Sequence, residues 1–228
     1  MTGMRVALLG EPADVELAGV AGRFAWGEIT LEQTDGALAI ELVRETASAA
    51  GAIAWHAGSA SLVRDGADVW RRLPWPAGSR AFELADPAHG AVLIAGPHDL
   101  ADPIADRLRA RGIPVDRRDR LVVEALEAAA VVCLPVPDGA APPAETMAVL
   151  AAGRILVTGR CEPRFGLQPG IDCFMESTAD GAAQRVEAAV SWPRAFDMTR
   201  ALGRVAAARH RADVLLHRLA VDAALGVA

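Results

Sequence analysis

Three loops in the second half of the sequence carry residues able to bind phosphate groups or sugars. They are GPHD (96–99), PDGAAPPAE (137–145) and GRCEPRFG (159–166). Each follows an apolar run typical of a buried strand. Ligands of open parallel sheets bind beyond the carboxyl ends of the strands, so we expect these loops to share one binding edge.

The first loop contains a glycine, a histidine and an aspartate. Gly96 would let a ligand approach the backbone closely, and His98 is a candidate phosphate contact. Asp99 is interpreted differently, as the N-cap of the following helix, since aspartate often accepts hydrogen bonds from the first helical amides. The loop is not a GxGxxG fingerprint, so it supports a dinucleotide site only weakly.

The second loop ends at Glu145, where a predicted helix over residues 144–153 begins. Glu145 could simply stabilise the helix N-terminus, by about 0.3–1 kcal/mol. Alternatively, its carboxylate could accept hydrogen bonds from ribose hydroxyls while the N–H groups of Thr146 and Met147 face a diphosphate. The local sequence slightly favours the structural interpretation.

Two further kinds of side chain suit transfer chemistry. Arg160 and Arg164 in the third loop are candidate diphosphate partners, with solvated loop arginines as the alternative. His56 ends a predicted strand of the first half and is a candidate general base, with a structural histidine as the alternative.

The composition removes several kinds of chemistry. The 228 residues include no lysine, asparagine or tyrosine, a bias that suggests a GC-rich genome. Without lysine there is neither a Walker-A ammonium nor a Schiff base for pyridoxal phosphate. The net charge of −6 argues against general binding of nucleic acid.

Hydropathy and the pattern at the start of the sequence predict a cytoplasmic protein. No apolar run reaches the roughly 20 residues of a membrane span, and the start lacks the pattern of a secretory signal.

Cys133, Cys161 and Cys173 are widely spaced and form no CxxC pair. We expect Cys133 and Cys173, which lie in apolar runs, to be small buried hydrophobes rather than disulfide or catalytic thiols.

Strand-like runs alternate with helical patterns along the whole chain, which predicts an α/β fold with parallel sheets and flanking helices. In the first half, strands are predicted at 5–10, 28–33, 52–57 and 80–85, and helices at 13–22, 36–50 and 60–72. In the second half, strands are predicted at 91–96, 113–116, 130–136, 154–159 and 171–177.

Three helices are expected between these later strands and two after them, at 179–191 and 193–225. Gly112 is the expected stop of the first. The last carries an apolar stripe that we expect to face a core: Leu202, Val205, Leu215, Leu216 and Leu219. The segment PAHG (87–90) is the candidate linker, which divides the chain into residues 1–88 and 89–228.

The segment from Ala144 to Val190 resembles the C-terminal domain of GT-B glycosyltransferases, closest to the bacterial spore-maturation type. The shared order of parts is an acidic residue (Glu145), a small-residue helix ending in Gly153, a short strand, and the segment QPGID (168–172). The end ARHRADVLLHRL (208–219) is also similar. The resemblance covers about the last 140 residues.

The resemblance implies a Rossmann-like, nucleotide-binding second half within a compact GT-B-like arrangement of two halves. It also implies that Glu145 holds the ribose of a UDP- or GDP-type donor. An earlier acidic residue of the family contacts the sugar eight positions before; here position 137 is proline and the nearest acid is Asp138, seven before.

Two functions follow as hypotheses, and a third interpretation is an unrelated Rossmann-like module that shares only the alternation of strands and helices. The first is a glycosyltransferase that takes a nucleotide-diphosphate sugar as co-substrate, with no tightly bound cofactor. The second is a non-catalytic relative that binds ligands or a partner protein. The short first half and the shifted acidic residue favour the second, and Glu145 favours the first. A homodimer is compatible with either.

Overall fold

The computed structural model describes the second half of the chain in most detail. Its side chains are described for residues 77–87, 90–140, 142–143, 145–161, 166–211 and 214, except that of residue 79. In the first 76 residues it describes the backbone of the strands alone. The helices predicted at 13–22 and 36–50 lie outside the described residues.

The strands of the first half form one five-stranded sheet and a separate short pair. In chain order they are β1 (Arg5–Leu9), β2 (Arg23–Phe24), β3 (Gly27–Glu28), β4 (Leu31–Gln33), β5 (Ala52–His56), β6 (Ser59–Arg64) and β7 (Ala67–Arg71). The sheet order is β4-β1-β5-β6-β7, with β4, β1 and β5 parallel. β1 and β5 confirm two predicted strands, whereas the run 28–33 is divided between β3 and β4.

Two predictions for the first half were wrong. Residues 60–64 and 67–71, which belong to a predicted helix over 60–72, form the antiparallel pair β6–β7, with only the dipeptide Asp65-Gly66 between the two strands in the sequence. Asp-Gly between alternating residues is a strong hairpin signal, and it outweighs the helical pattern here. Residues 80–85, predicted as a strand, instead contain the short helix α1 (Ser79–Phe82).

A second sheet contains five parallel strands in the order β12-β11-β10-β8-β9. These are β8 (Val92–Ala95), β9 (Val115–Arg118), β10 (Val131–Leu134), β11 (Ile155–Thr158) and β12 (Phe174–Met175). The helices that connect and flank them are α2 (Ala101–Ala110), α3 (Val123–Ala128), α4 (Thr146–Ala151), α5 (Ala179–Ser191) and α6 (Asp197–Ala208). This sheet with its helices confirms the Rossmann-like α/β prediction.

The sheet separates two apolar cores. One side packs residues of α1, α3, α4 and α6, and the other packs residues of α2 and α5. Leu93 and Ala95 of β8 face the first core while Val92 and Ile94 face the second, because successive side chains of a strand point to opposite faces. β8, β10 and β11 are buried along their full length.

One buried arginine connects the residues before position 88 to the helices and strands of the second sheet. Arg154 is 1% exposed; its Nε donates to the carbonyl of Leu126 at 2.8 Å, and its Nη1 donates to the carbonyl of Ala85 at 3.0 Å. Burial, with the nearby charges of Arg200 and Arg204, lowers the pKa of Arg154 to about 10. Residues shortly before position 88 therefore pack with the second sheet and its helices. The division of the chain at 88/89 stays a prediction.

The end of the described chain differs from the predicted long helix. A short 3₁₀ turn (Pro193–Phe196) precedes α6, and α6 ends at Ala208 rather than continuing towards 225. After it, the amide of Ala77 donates to the carbonyl of His210 at 3.0 Å. The predicted positions 215, 216 and 219 lie outside the described residues.

The orientation of α6 also differs from the prediction. Leu202 and Val205 are 37% and 52% exposed, so the predicted stripe does not face a core at these residues. The buried face contains Gly203 and Ala207 instead. A Cβ at Gly203 would lie 3.0 Å from Cδ2 of Leu150, so α6 approaches α4 at a position where only glycine fits without adjustment.

This close approach predicts a cost for a larger residue at position 203. Gly203→Val should lower the free energy of unfolding by about 1–3 kcal/mol, as overpacking does in well-packed cores. Urea denaturation measures the change. Ala201→Val, at an exposed position of the same helix, is the control for helix propensity and should cost only a few tenths of a kcal/mol. Equal losses in the two variants would contradict the packing argument.

Candidate functional site

The loops after β8, β10 and β11 leave the same edge of the sheet, because these strands are parallel neighbours. The chain passes from β8 to β9 on one side of the sheet, and from β10 to β11 and β12 on the other. The strand order therefore reverses between β8 and β10. In open α/β sheets a crevice for ligands forms beyond the carboxyl ends of the strands at such a reversal.

The first loop at this edge begins with a glycine in a left-handed conformation. Gly96 has φ +108°, and its amide donates to the carbonyl of Arg118 at 3.2 Å. A side chain at Gly96 would meet no atom within 4 Å, so the backbone angle, and not lack of space, is what favours glycine.

His98 lies just before α2. Its Nδ1 accepts a hydrogen bond from the amide of Leu100 at 3.1 Å, and its carbonyl accepts from the amide of Ala101 at 2.9 Å. The capping role predicted for Asp99 is wrong, because the N-cap residue of α2 is Leu100 and no side chain forms a capping hydrogen bond there. With Nδ1 as acceptor, the neutral imidazole carries its proton on Nε2 and keeps one donor for another partner.

The second loop turns sharply after β10. The amide of Ala140 donates to the carbonyl of Pro137, and Gly139 has φ +79°. Asp138 lies exposed in this turn. The amide of Gly139 donates to the carbonyl of Arg160 at 2.7 Å, which joins the second loop to the third.

A second contact between these two loops involves Gly159. A Cβ there would lie 2.1 Å from the carbonyl oxygen of Val136, a distance that no real Cβ occupies. The loops after β10 and β11 can approach this closely only because position 159 lacks a side chain. No local sequence pattern signals this requirement, which depends on a neighbour 23 positions away.

Glu145 is half-buried immediately before α4, and its carbonyl accepts from the amide of Val149 at 3.0 Å. Thr146 and Met147 are each only 1% exposed. The amide of Thr146 donates to the carbonyl of Pro143 at 3.1 Å. That N–H group, expected to face a diphosphate, is thus already used within the protein.

The remaining predicted site residues are placed only in part. Arg160 is exposed directly after β11, and its guanidinium forms no ion pair with another described residue. Arg164 lies outside the described residues. His56 is the last residue of β5, in the first-half sheet, and its side chain also lies outside the described part.

All three cysteines are free and buried. Burial raises the pKa of Cys133 to about 12, and burial is likewise the main cause of the raised pKa values of Cys161 and Cys173. The predicted burial of Cys133 and Cys173 is confirmed. The thiols stay protonated at neutral pH, and a protonated thiol is a poor nucleophile.

Within the part of the chain that the structure describes, no three His, Cys, Asp or Glu residues are grouped to hold a metal ion. No helix among those residues has both the length and the apolar character needed to cross a membrane.

The sequence matches no protein-family model, and no curated protein is similar to it at a significant level. The class of the protein therefore rests on its own architecture. It is a Rossmann-like α/β protein with a strand-order reversal between β8 and β10.

The contact at Gly159 predicts a large effect of a single methyl group. Gly159→Ala should lower the free energy of unfolding by about 3 kcal/mol, the upper part of the range for overpacking, because backbone must move to admit it. Thermal or urea denaturation measures the loss.

Gly112→Ala is the matched control. Gly112 has φ +76° but open space around it, so alanine there should cost only the strain of a left-handed residue, about 1–2 kcal/mol. A smaller loss for the variant at 159 than at 112 would contradict the close approach of the two loops.

The buried thiols predict resistance to alkylation. Iodoacetamide at pH 8 should leave the folded protein unmodified, because the cysteines are inaccessible and, at a pH below their raised pKa values, protonated. The unfolded chain should gain three adducts, one per cysteine. Mass spectrometry counts the adducts, and rapid modification of the folded protein would show that a thiol is accessible.

Proposed function

We propose that the crevice between the loops of β8 and β10 binds a nucleotide-diphosphate sugar of the UDP or GDP type, and that the protein is a glycosyltransferase. The observation that carries the proposal is the reversal of strand order between β8 and β10, because ligands of open α/β sheets bind at this point. It sets the loop of His98 beside the loop that leads to Glu145.

The side chains around this crevice suit the parts of such a donor. The half-buried carboxylate of Glu145 would accept hydrogen bonds from the ribose hydroxyls. Nε2 of His98 and the exposed guanidinium of Arg160 would bind the diphosphate, with Arg164 as a further candidate. Asp138, exposed in the turn after β10, would contact the sugar.

Transfer requires one bond to form at the anomeric carbon as another breaks. The acceptor oxygen would bond to that carbon, and the diphosphate would leave with the electron pair of the broken C–O bond. Arg160 would stabilise the charge that develops on the leaving group. His56, at the carboxyl end of β5, is our candidate to take the acceptor's proton. A cytoplasmic location belongs to the same proposal.

One observation favours a second candidate, a related protein that binds without catalysing transfer. The amides of Gly96, Leu100, Ala101 and Thr146 all donate within the protein. Helix starts that bind phosphates usually offer free N–H groups, so side chains would have to hold the diphosphate here. Such a site would suit a binding or partner subunit, and self-association stays a prediction in either case.

The test compares UDP, GDP and their sugar conjugates as ligands in a thermal-shift assay. A ligand at 100 times its Kd should stabilise the folded protein by about 2.7 kcal/mol and raise Tm by several degrees. Glu145→Gln should weaken binding by about ten- to a hundredfold, because a hydrogen bond to a charged group contributes about 1.5–3 kcal/mol.

Glu127→Gln, an exposed glutamate at the end of α3, is the control and should leave the affinity unchanged. Release of the free sugar or its transfer, followed by chromatography, then separates an enzyme from a binding protein. If no nucleotide changes Tm, or if both variants behave alike, the nucleotide site at Glu145 is wrong.

A further inference from the structure

A pocket of about 270 Å³ lies between α6 and the segment that leads to β12. Its walls include Gln168, Ile171, Leu202, Val205, Arg209 and His210. None of these residues belongs to the candidate nucleotide site, so a ligand of this pocket is independent of the proposed function.

The apolar wall of this pocket is exposed to solvent. Ile171, Leu202 and Val205 are 46%, 37% and 52% exposed. Leu202 and Val205 are three positions apart on α6 and so lie one above the other on the same helix face. Of the six large hydrophobic side chains exposed in the described part of the chain, these three line one cavity. Exposed apolar side chains that cluster in a concave site mark a binding surface, whereas scattered ones need no explanation.

The accessible charge at the pocket is positive. Arg209 is exposed at its rim, and its guanidinium forms no ion pair with any other described residue. The carboxylate of Asp172 also borders the pocket, but the residue is only 4% exposed. Its Oδ1 accepts the amide of Gln168 at 2.8 Å, which commits that oxygen to the fold of the loop. A ligand entering from solvent would therefore meet an aliphatic wall and the guanidinium of Arg209.

We infer that this pocket binds a small amphiphilic anion, with its aliphatic chain against Ile171, Leu202 and Val205 and its carboxylate or phosphate group at Arg209. The volume lies just below the usual range for small-molecule sites, which begins near 300 Å³. The pocket therefore suits a ligand with an aliphatic chain of medium length rather than a long acyl chain or a drug-sized molecule.

Isothermal titration of the full chain with octanoate tests this inference. Octanoate should bind with a stoichiometry of one. Octylammonium should bind more weakly, because its positive charge is repelled by Arg209. Sulfate should not bind, because it has no aliphatic chain to contact the apolar wall. Titration with octyl phosphate in parallel shows whether the site prefers a carboxylate or a phosphate group.

Two pairs of variants locate the binding. Val205→Glu should weaken octanoate binding at least about tenfold, because it places a carboxylate in the apolar wall. Met198→Glu is the matched control: Met198 is on the same helix, 70% exposed and outside the pocket, so its variant should bind as the original chain does. Arg209→Gln should weaken octanoate about two- to fivefold, as an exposed ion pair allows, and reduce the preference for octanoate over octylammonium. Arg109→Gln, on α2, should change neither.

Three outcomes would overturn the inference. They are the absence of saturable octanoate binding, equal effects of the variants at 205 and 198, and self-association that Val205→Glu alone abolishes in light scattering. The last outcome would identify the apolar wall as an interface between copies of the chain.

Discussion

The second half of this protein depends on strands that are covered on both faces. Every residue of β8, β10 and β11 is buried, and alternate side chains enter two different cores. Such strands have no room for charged side chains, because an unpaired charge in either core would be costly. Polar chemistry is therefore confined to the loops at the ends of the strands. The parallel arrangement then brings the loops of neighbouring strands together at one edge.

At that edge several backbone N–H groups donate to acceptors within the protein. The amide of Gly96 donates to the carbonyl of Arg118 at the end of β9, the amide of Gly139 donates to the carbonyl of Arg160, and His98 accepts from the amides of Leu100 and Ala101. These hydrogen bonds hold the loops in defined positions. They also occupy N–H groups that could otherwise donate to a phosphate. In the proposed function an anion at this edge would be recognised mainly by guanidinium and imidazole groups, and the permanent side-chain cations of this chain are all arginine.

The sequence was sufficient for the elements whose signal is local. Continuous apolar runs predicted β8, β10 and β11, and the helix over 179–191 was predicted with its observed bounds. The β6–β7 pair was not predicted, because residues 60–72 also fit a helical pattern and the Asp65-Gly66 signal is only two residues long. The orientation of α6 was missed because a leucine stripe is a stronger signal than Gly203. Strand order and the pocket beside Val205 depend on distant residues, so no local pattern could predict them.

The contact between Gly159 and the carbonyl of Val136 has an evolutionary consequence. Every substitution of glycine adds at least a Cβ, so selection should remove changes at this position for as long as the loops after β10 and β11 keep their spacing. Relatives that have lost most other sequence identity should still carry glycine directly after the fourth strand of this sheet. This residue is thus a useful anchor for aligning the chain with distant proteins of the same architecture.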